Sequence, residues 1–266
     1  MSSTKIPLNN IIIGTSSWGS KSSYKNSFAV SKFLIEKGFN QFDSAPNYGS
    51  GYSHNILNII GEKQKILVNT KFGQRMNFNL YEILKRIYRF NNFKSFINSN
   101  YNLYNSSKQN EKKYWQISNI SNNYVRIKKH LNNCNIKVFY LHSPKSEVIN
   151  KNLLDEFEKF CFLNNLKPGI ANIDNDSLKK ILFNYKNYTI QMSLCQYNDF
   201  EKQIIESNND VHINSIFKLK YEQDKFDKNK YLEAIIEYFK NFKKIKLVFG
   251  INSISRCNDL INNLKY

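Results

Sequence analysis

Short apolar runs alternate with amphipathic stretches along nearly the whole chain. Asn10-Ile11-Ile12-Ile13-Gly14 is apolar on every central position, as expected of a strand covered on both faces rather than of one with a wet side. The same reading predicts strands over 10–14, 39–43, 65–71, 136–142, 168–173, 189–194, 211–217 and 245–251. Apolar positions at helical spacing predict helices over 28–37, around 52–60, and over 119–131, 151–163, 176–185, 201–207, 230–242 and 255–264. Eight strands, each followed by a helix, is the element count of an α/β protein of the (β/α)8 TIM-barrel class.

An open doubly wound sheet would give the same alternation. Its dinucleotide fingerprint is missing, however: Gly14 runs into Thr15-Ser16-Ser17 instead of a Gly-x-Gly-x-x-Gly turn. A single barrel domain over 1–266 is therefore expected, interrupted once after its third strand. The interruption, about 74–117, is rich in Asn, Tyr, Phe and Lys and has no strand pattern. Leu80, Ile83, Leu84, Ile87 and Tyr88 lie at helical spacing with Lys85, Arg86 and Arg89 between them, so it is expected to hold a basic amphipathic helix. Loops of this length are usually functional or locally folded.

Composition narrows the function classes. The 266 residues include 41% hydrophobic and 15% aromatic positions, enough to bury a large core and to exclude a disordered chain. Four scattered cysteines, Cys134, Cys161, Cys195 and Cys257, lack the paired spacings of a disulfide framework or zinc site. Residues 1–10 carry one Lys and no apolar run, and no stretch approaches a membrane span, so a cytoplasmic protein is expected. The formal charge of +18 first points to nucleic acid. Yet from Lys63 to Lys145 there are 16 basic residues against two acidic ones, which puts most of the excess in one third of the chain.

Barrel enzymes place their chemistry at the C-terminal ends of the strands. Here three predicted strands finish in ionisable residues, Asp43, Lys71 and His142, and Tyr48 follows Asp43 in the next loop. Alone, each has a plain alternative: an Asp before Ser-Ala-Pro caps a turn, a Lys is solvated, and a His after an apolar run is structural. Four of them on one rim form a candidate proton-transfer site. His54, His130 and His212 have no ligand-like spacing, and no metal is expected.

The segment Phe42-Asp43-Ser44-Ala45-Pro46-Asn47-Tyr48-Gly49 resembles the Asp-Thr-Ala-x-x-Tyr-Gly pattern of the aldo-keto reductase family, with His54 where a Glu follows in the family. Asn69-Thr70-Lys71 resembles its Thr-Lys strand end, and Tyr140-Leu141-His142-Ser143-Pro144 its Leu-x-His-x-Pro element. Gly169-Ile170-Ala171-Asn172 is similar to Gly-Val-Ser-Asn, with Ala171 for the Ser. The resemblance implies a tetrad of Asp43, Tyr48, Lys71 and His142, in which Tyr48 is the general acid. Lys71 would favour tyrosinate by its charge, Asp43 would hold Lys71, and His142 would orient a carbonyl.

It also implies a nicotinamide cofactor, NADPH with NADH as the alternative. Asn172 and Gln191 would bind the carboxamide and Phe217 would stack on the ring, although Phe217 reads equally well as core packing. Gly14, Thr15, Ser16, Asp43 and Ser215 would line the same cleft, and Asn252, Ser253 and Arg256 would meet the 2′-phosphate. Ala171 removes one carboxamide hydrogen bond, worth ~1 kcal/mol.

The implied function is reduction of a small aldehyde, ketone or sugar-like carbonyl, with the basic third steering an anionic substrate or the dinucleotide. No nucleic acid is then expected as partner. Two other classes are a basic protein binding nucleic acid or an anionic surface, and a cofactor-binding regulatory barrel without turnover. The sequence carries no signal of oligomeric state.

Overall fold

The computed structural model describes residues 6–73, 114–217 and 227–264. The amphipathic helix expected over 80–88 lies outside them. Eight parallel strands close a barrel in chain order: β1 (Ile11–Gly14), β2 (Gln41–Asp43), β3 (Leu67–Phe72), β4 (Asn135–His142), β5 (Lys167–Ala171), β6 (Thr189–Ser193), β7 (Asp210–Asn214) and β8 (Ile245–Gly250). Between and after them lie α1 (Tyr24–Glu36), α2 (Tyr52–Gly61), α3 (Ile117–His130), α4 (Lys151–Leu163), α5 (Asn175–Asn184), α6 (Leu194–Ser207), α7 (Lys228–Phe239) and α8 (Ile254–Leu264). The expected (β/α)8 class is thus the observed one. Among the described residues no helix is long and apolar enough to cross a membrane.

Helix starts follow from local capping. Ser23, Asn150, Asp174 and Ser193 each accept a hydrogen bond from the backbone N–H three residues on, and Asp227 accepts two. The Ser193 cap explains why α6 begins at Leu194, seven residues before the expected 201: the chain turns directly from β6 into the helix. Strand β7 ends at Asn214 rather than 217, and β5 at Ala171 rather than 173.

Two interiors result. The apolar one lies between barrel and helices, where Ile11, Ile13, Phe42, Val68, Phe139, Leu141, Ile170 and Leu247 pack with helix residues such as Leu34, Ile56 and Phe157. The barrel's own interior is different. Paired positions in a parallel sheet share a face, and one such row runs Lys71–Tyr140–Gly169–Thr189 while another runs His142–Ala171–Gln191–His212–Lys246. The inward positions are therefore largely polar or ionisable, with only Val138, Tyr140 and Ala171 forming a small apolar cluster there. The strands are covered on both faces, as expected, but not by the same kind of side chain.

Polar pairs across the barrel satisfy these groups, as burial requires. Near the strand starts Lys246 donates to Gln41 at 2.9 Å and Lys167 pairs with Asp210. In the middle Tyr140 Oη lies 2.5 Å from His212 Nδ1. Tyr140 fits only because β5 carries Gly169: a Cβ there would meet the Tyr140 ring carbons at 2.4 and 2.6 Å and Val138 Cγ1 at 2.9 Å. Gly169→Ala is expected to destabilise the protein by ~1–3 kcal/mol through overpacking, read as a lowered urea midpoint with unchanged slope; an unchanged midpoint would show that the ring yields without cost.

Candidate active site

The mouth of the barrel is held by backbone hydrogen bonds that extend the sheet one residue past the strands. Thr15 N–H donates to Asp43 O at 3.0 Å, Ser44 N–H to Asn69 O at 2.9 Å, Ser143 N–H to Ala171 O at 2.8 Å and Asn172 N–H to Gln191 O at 3.1 Å. Gly73, Ser143, Asn172 and Ser215, each the first residue after its strand, have φ of +140°, +54°, +56° and +53°. Four strands thus leave the rim through left-handed backbone, a conformation that favours Gly and Asn and strains Ser. Such outliers gather at functional sites.

Within this rim Asp43 and Lys71 meet as a buried ion pair, Nζ to Oδ2 at 2.6 Å, with side chains 1% and 6% exposed for Lys71 and Asp43. Lys71 Nζ also donates to Ser44 O at 3.2 Å, and Gln191 Nε2 donates to Asp43 Oδ1 at 2.9 Å. The Asp43 carboxylate is thereby used on both oxygens. Burial by itself would drive the Lys71 amine down, but the Asp43 carboxylate and the Tyr48 hydroxyl beside it hold it above its ordinary value. It is an ammonium at neutral pH.

Tyr48 stands beside that ammonium, its ring centroid 5.2 Å from Lys71 Nζ. It sits at the start of a short 3-10 turn, Tyr48–Gly51, that is left-handed at Gly49 and Ser50. Gly49 is required twice over: its φ is +54°, and a Cβ would lie 2.1 Å from Trp18 O. Trp18 in turn donates from Nε1 to Ile251 O at 2.7 Å, tying the Tyr48 loop to the end of β8. Burial pushes the Tyr48 hydroxyl up; Lys71 pulls it back only in part, and Asp43 adds to the rise. This corrects the expectation that Lys71 would favour tyrosinate. Tyr48 keeps its proton, the state a general acid needs before the reaction.

His142 ends β4 on the same rim. Burial, aided by Lys71, lowers its pKa to about 3, so the imidazole is neutral. Asn172 Nδ2 lies 3.3 Å from His142 Nε2. An amide nitrogen only donates, so Nε2 accepts and the ring proton sits on Nδ1.

The other expected site residues divide into three groups. Asn172 is exposed at the rim, and Gln191 reaches the mouth but is bound to Asp43. Gly14 and Gly250 pair at the ends of β1 and β8, and a Cβ on Gly250 would meet nothing within 4 Å, which leaves a bare corner beside Asp43. Ser16 and Ser215 are exposed, whereas the Thr15 hydroxyl is buried and donates to Asp43 O at 2.9 Å, so it braces Asp43 from behind. Asn252, Ser253 and Arg256 lie together at the start of α8, where Arg256 N–H donates to Ser253 Oγ at 3.3 Å and the Arg256 side chain is exposed. Phe217 is not brought to the mouth: it is three residues beyond the end of β7 and packs on Tyr231, ring centroids 6.1 Å apart. His54, the residue in the family's Glu position, is buried behind β3 with Nε2 3.1 Å from Thr70 Oγ1.

Tyr140 and His212 were not singled out by the sequence, yet they lie directly under the site. The alternation of polar and apolar residues in Asp210-Val211-His212-Ile213-Asn214 is the signal that marks an inward polar face.

His54, His142 and His212 are all buried in neutral form, the first two with pKa lowered to about 3 and His212 well below its usual value. Unfolding restores ordinary imidazoles near ~6.5, so the unfolded chain binds more protons between these limits. Stability is expected to fall as pH drops from ~6.5 towards ~3, by ~1.4 kcal/mol per pH unit per histidine. Urea midpoints against pH measure this, and single His→Gln variants should each reduce the slope.

Comparison with known proteins agrees with this geometry. Residues 10–217 match the model of the Aldo/keto reductase family. No curated protein matches the chain in sequence. The fold is similar to that of an aldo-keto reductase of Bacillus halodurans in its holo form, with TM-score 0.69, 15% identity, and 97% of this chain and 87% of that one covered. It is similar to an aldo-keto reductase of Klebsiella pneumoniae solved in complex with NADPH, at TM-score 0.64, 12% identity, and 97% and 86% coverage. The glycerol dehydrogenase of Gluconobacter oxydans is similar at TM-score 0.64, 13% identity, and 98% and 90% coverage. With the family model spanning most of the chain, from before β1 to the end of the described part after β7, the protein belongs to the aldo/keto reductase family.

Proposed function

We propose that this protein is an NAD(P)H-dependent carbonyl reductase, running in reverse as an alcohol dehydrogenase, with Tyr48 as general acid. The observation that carries the reading is the Lys71 ammonium, paired with Asp43 at 2.6 Å and set beside the Tyr48 ring at 5.2 Å. A proton donor next to a fixed cation is what a developing alkoxide requires.

The residues present fit a nicotinamide. The bare Gly14–Gly250 corner, the exposed amide of Asn172 and the amide of Gln191 surround the mouth beside Tyr48. Asn172 and Gln191 would hold the carboxamide, with Gly14, Ser16 and Ser215 along the cleft. Asn252, Ser253 and Arg256 would hold the 2′-phosphate, the guanidinium by its fork of donors. The bound reduced nicotinamide supplies a hydride to the carbonyl carbon. Tyr48 gives its hydroxyl proton to the carbonyl oxygen, so a C=O bond becomes a CH–OH unit. Lys71 stabilises the phenolate left behind, and Asp43 keeps Lys71 charged and in place. His142, neutral, orients the carbonyl oxygen beside Tyr48.

The substrate we infer is a small aldehyde, ketone or sugar-like carbonyl, with an anionic one favoured by the surplus of basic residues between Lys63 and Lys145. The four unpaired thiols suit a reducing compartment, and we place the protein in the cytoplasm.

NADPH and NADH oxidation over a panel of carbonyl compounds tests the reading directly; no oxidation with any of them would remove it. Tyr48→Phe is expected to cut kcat by ~1000-fold or more while leaving NADPH binding, followed by fluorescence, within about twofold. Arg256→Ala is expected to weaken NADPH about tenfold and NADH hardly at all; equal losses would take the 2′-phosphate away from α8.

A further inference from the structure

Lys71 is enclosed from a direction that the tetrad does not account for. Its Nζ lies 5.6 Å from the centroid of the Tyr140 ring, on top of the 5.2 Å approach to Tyr48. The ammonium thus sits between two aromatic rings, with the Asp43 carboxylate at 2.6 Å and the Ser44 carbonyl at 3.2 Å on its remaining sides. Both distances are within the ~6 Å range where a ring face attracts a cation, and the attraction grows where water is excluded. Tyr140 and Lys71 are both fully buried.

Tyr140 cannot turn away. Its hydroxyl lies 2.5 Å from His212 Nδ1 on the far side of the barrel, and its ring fills the space left by Gly169. Burial keeps the His212 imidazole neutral and the Tyr140 hydroxyl protonated, so the contact is a neutral hydrogen bond that adds no charge under Lys71. The residue is also a departure within the chain's own motif: Tyr140 stands at the Leu of the Leu-x-His-x-Pro element. A Leu would fill the space but offer the ammonium no ring face.

We propose that Tyr140, anchored by His212 and admitted by Gly169, is a positioning residue that forms the floor under Lys71 and keeps its ammonium aligned with the Tyr48 hydroxyl. It touches neither substrate nor cofactor. Its contribution to turnover rests on the reductase reading; its hold on the ammonium does not.

The test uses the full chain with Tyr140→Leu and Tyr140→Phe, read in two ways. The first is the lysine ammonium 1H–15N signal of Lys71 at neutral pH without any ligand, assigned through Lys71→Met. In the wild type the two rings shield it and burial slows its exchange. Tyr140→Leu is expected to shift it downfield and speed its exchange, while Tyr140→Phe, which keeps the ring, leaves it close to wild type. The second is steady-state reduction with NADPH: Tyr140→Leu should lower kcat about tenfold with KM for the carbonyl within twofold, and Tyr140→Phe should restore most of the loss. If Tyr140→Leu does not fold, Tyr140→Met, which fills irregular space, is read in the same way. An unmoved ammonium signal overturns the proposal, and so does a moved signal with wild-type kcat. If the wild type reduces no carbonyl at all, the reductase reading falls, and the ammonium signal alone then upholds or overturns the floor.

Discussion

A buried ammonium is the constraint around which the rest of the barrel is arranged. Taking Lys71 out of water costs far more than any single contact returns unless a counter-charge and hydrogen-bond acceptors meet it. Asp43 is that counter-charge, and it must itself be held: Gln191 donates to one carboxylate oxygen, Lys71 to the other, and Thr15 fixes the Asp43 backbone from both its N–H and its hydroxyl. Four strands, β1, β2, β3 and β6, are therefore locked to one charge. Tyr48 then acquires its chemistry from a neighbour it did not itself have to bury.

The same constraint explains why the barrel has two kinds of interior. Side chains facing the helices are apolar and supply the hydrophobic stabilisation of the fold. Those facing inward form a series of polar pairs from Lys167–Asp210 and Lys246–Gln41 at one end, through Tyr140–His212, to Asp43, Lys71 and Gln191 at the other. A purely apolar filling would leave the active-site ammonium resting on hydrocarbon. Polar pairs in which each group has a partner carry the polarity downward without an orphaned charge.

Much of this was legible in the sequence, for identifiable reasons. All eight strands show in the apolar runs because their outward faces bury against helices whatever lies inside. Asp43, Lys71 and His142 show because they end strands, and Tyr48 because it follows one. What the sequence concealed is commitment between distant residues. Thr15 reads as a cleft residue, but its hydroxyl is spent on Asp43, 28 positions away. Phe217 reads as a ring that stacks in the mouth, but β7 stops at Asn214 and the chain has already turned outward to Tyr231. Lys71 reads as a charge that lowers Tyr48, but the burial that creates the ion pair raises the phenol more. Tyr140 and His212 are 72 positions apart, and nothing local announces that they meet.

The left-handed residues that end four strands have a further consequence. Gly73, Ser143, Asn172 and Ser215 set the direction in which the chain departs, and the rim hydrogen bonds set where it departs from. Whatever follows them is mechanically decoupled from the tetrad: a connecting segment can lengthen, shorten or change composition without moving Asp43, Lys71 or His142. Substrate range and catalytic geometry can then drift independently in evolution. The long Asn- and Lys-rich stretch after Gly73 is what such freedom allows, since it hangs from a single fixed hinge one residue beyond β3, the strand that carries Lys71.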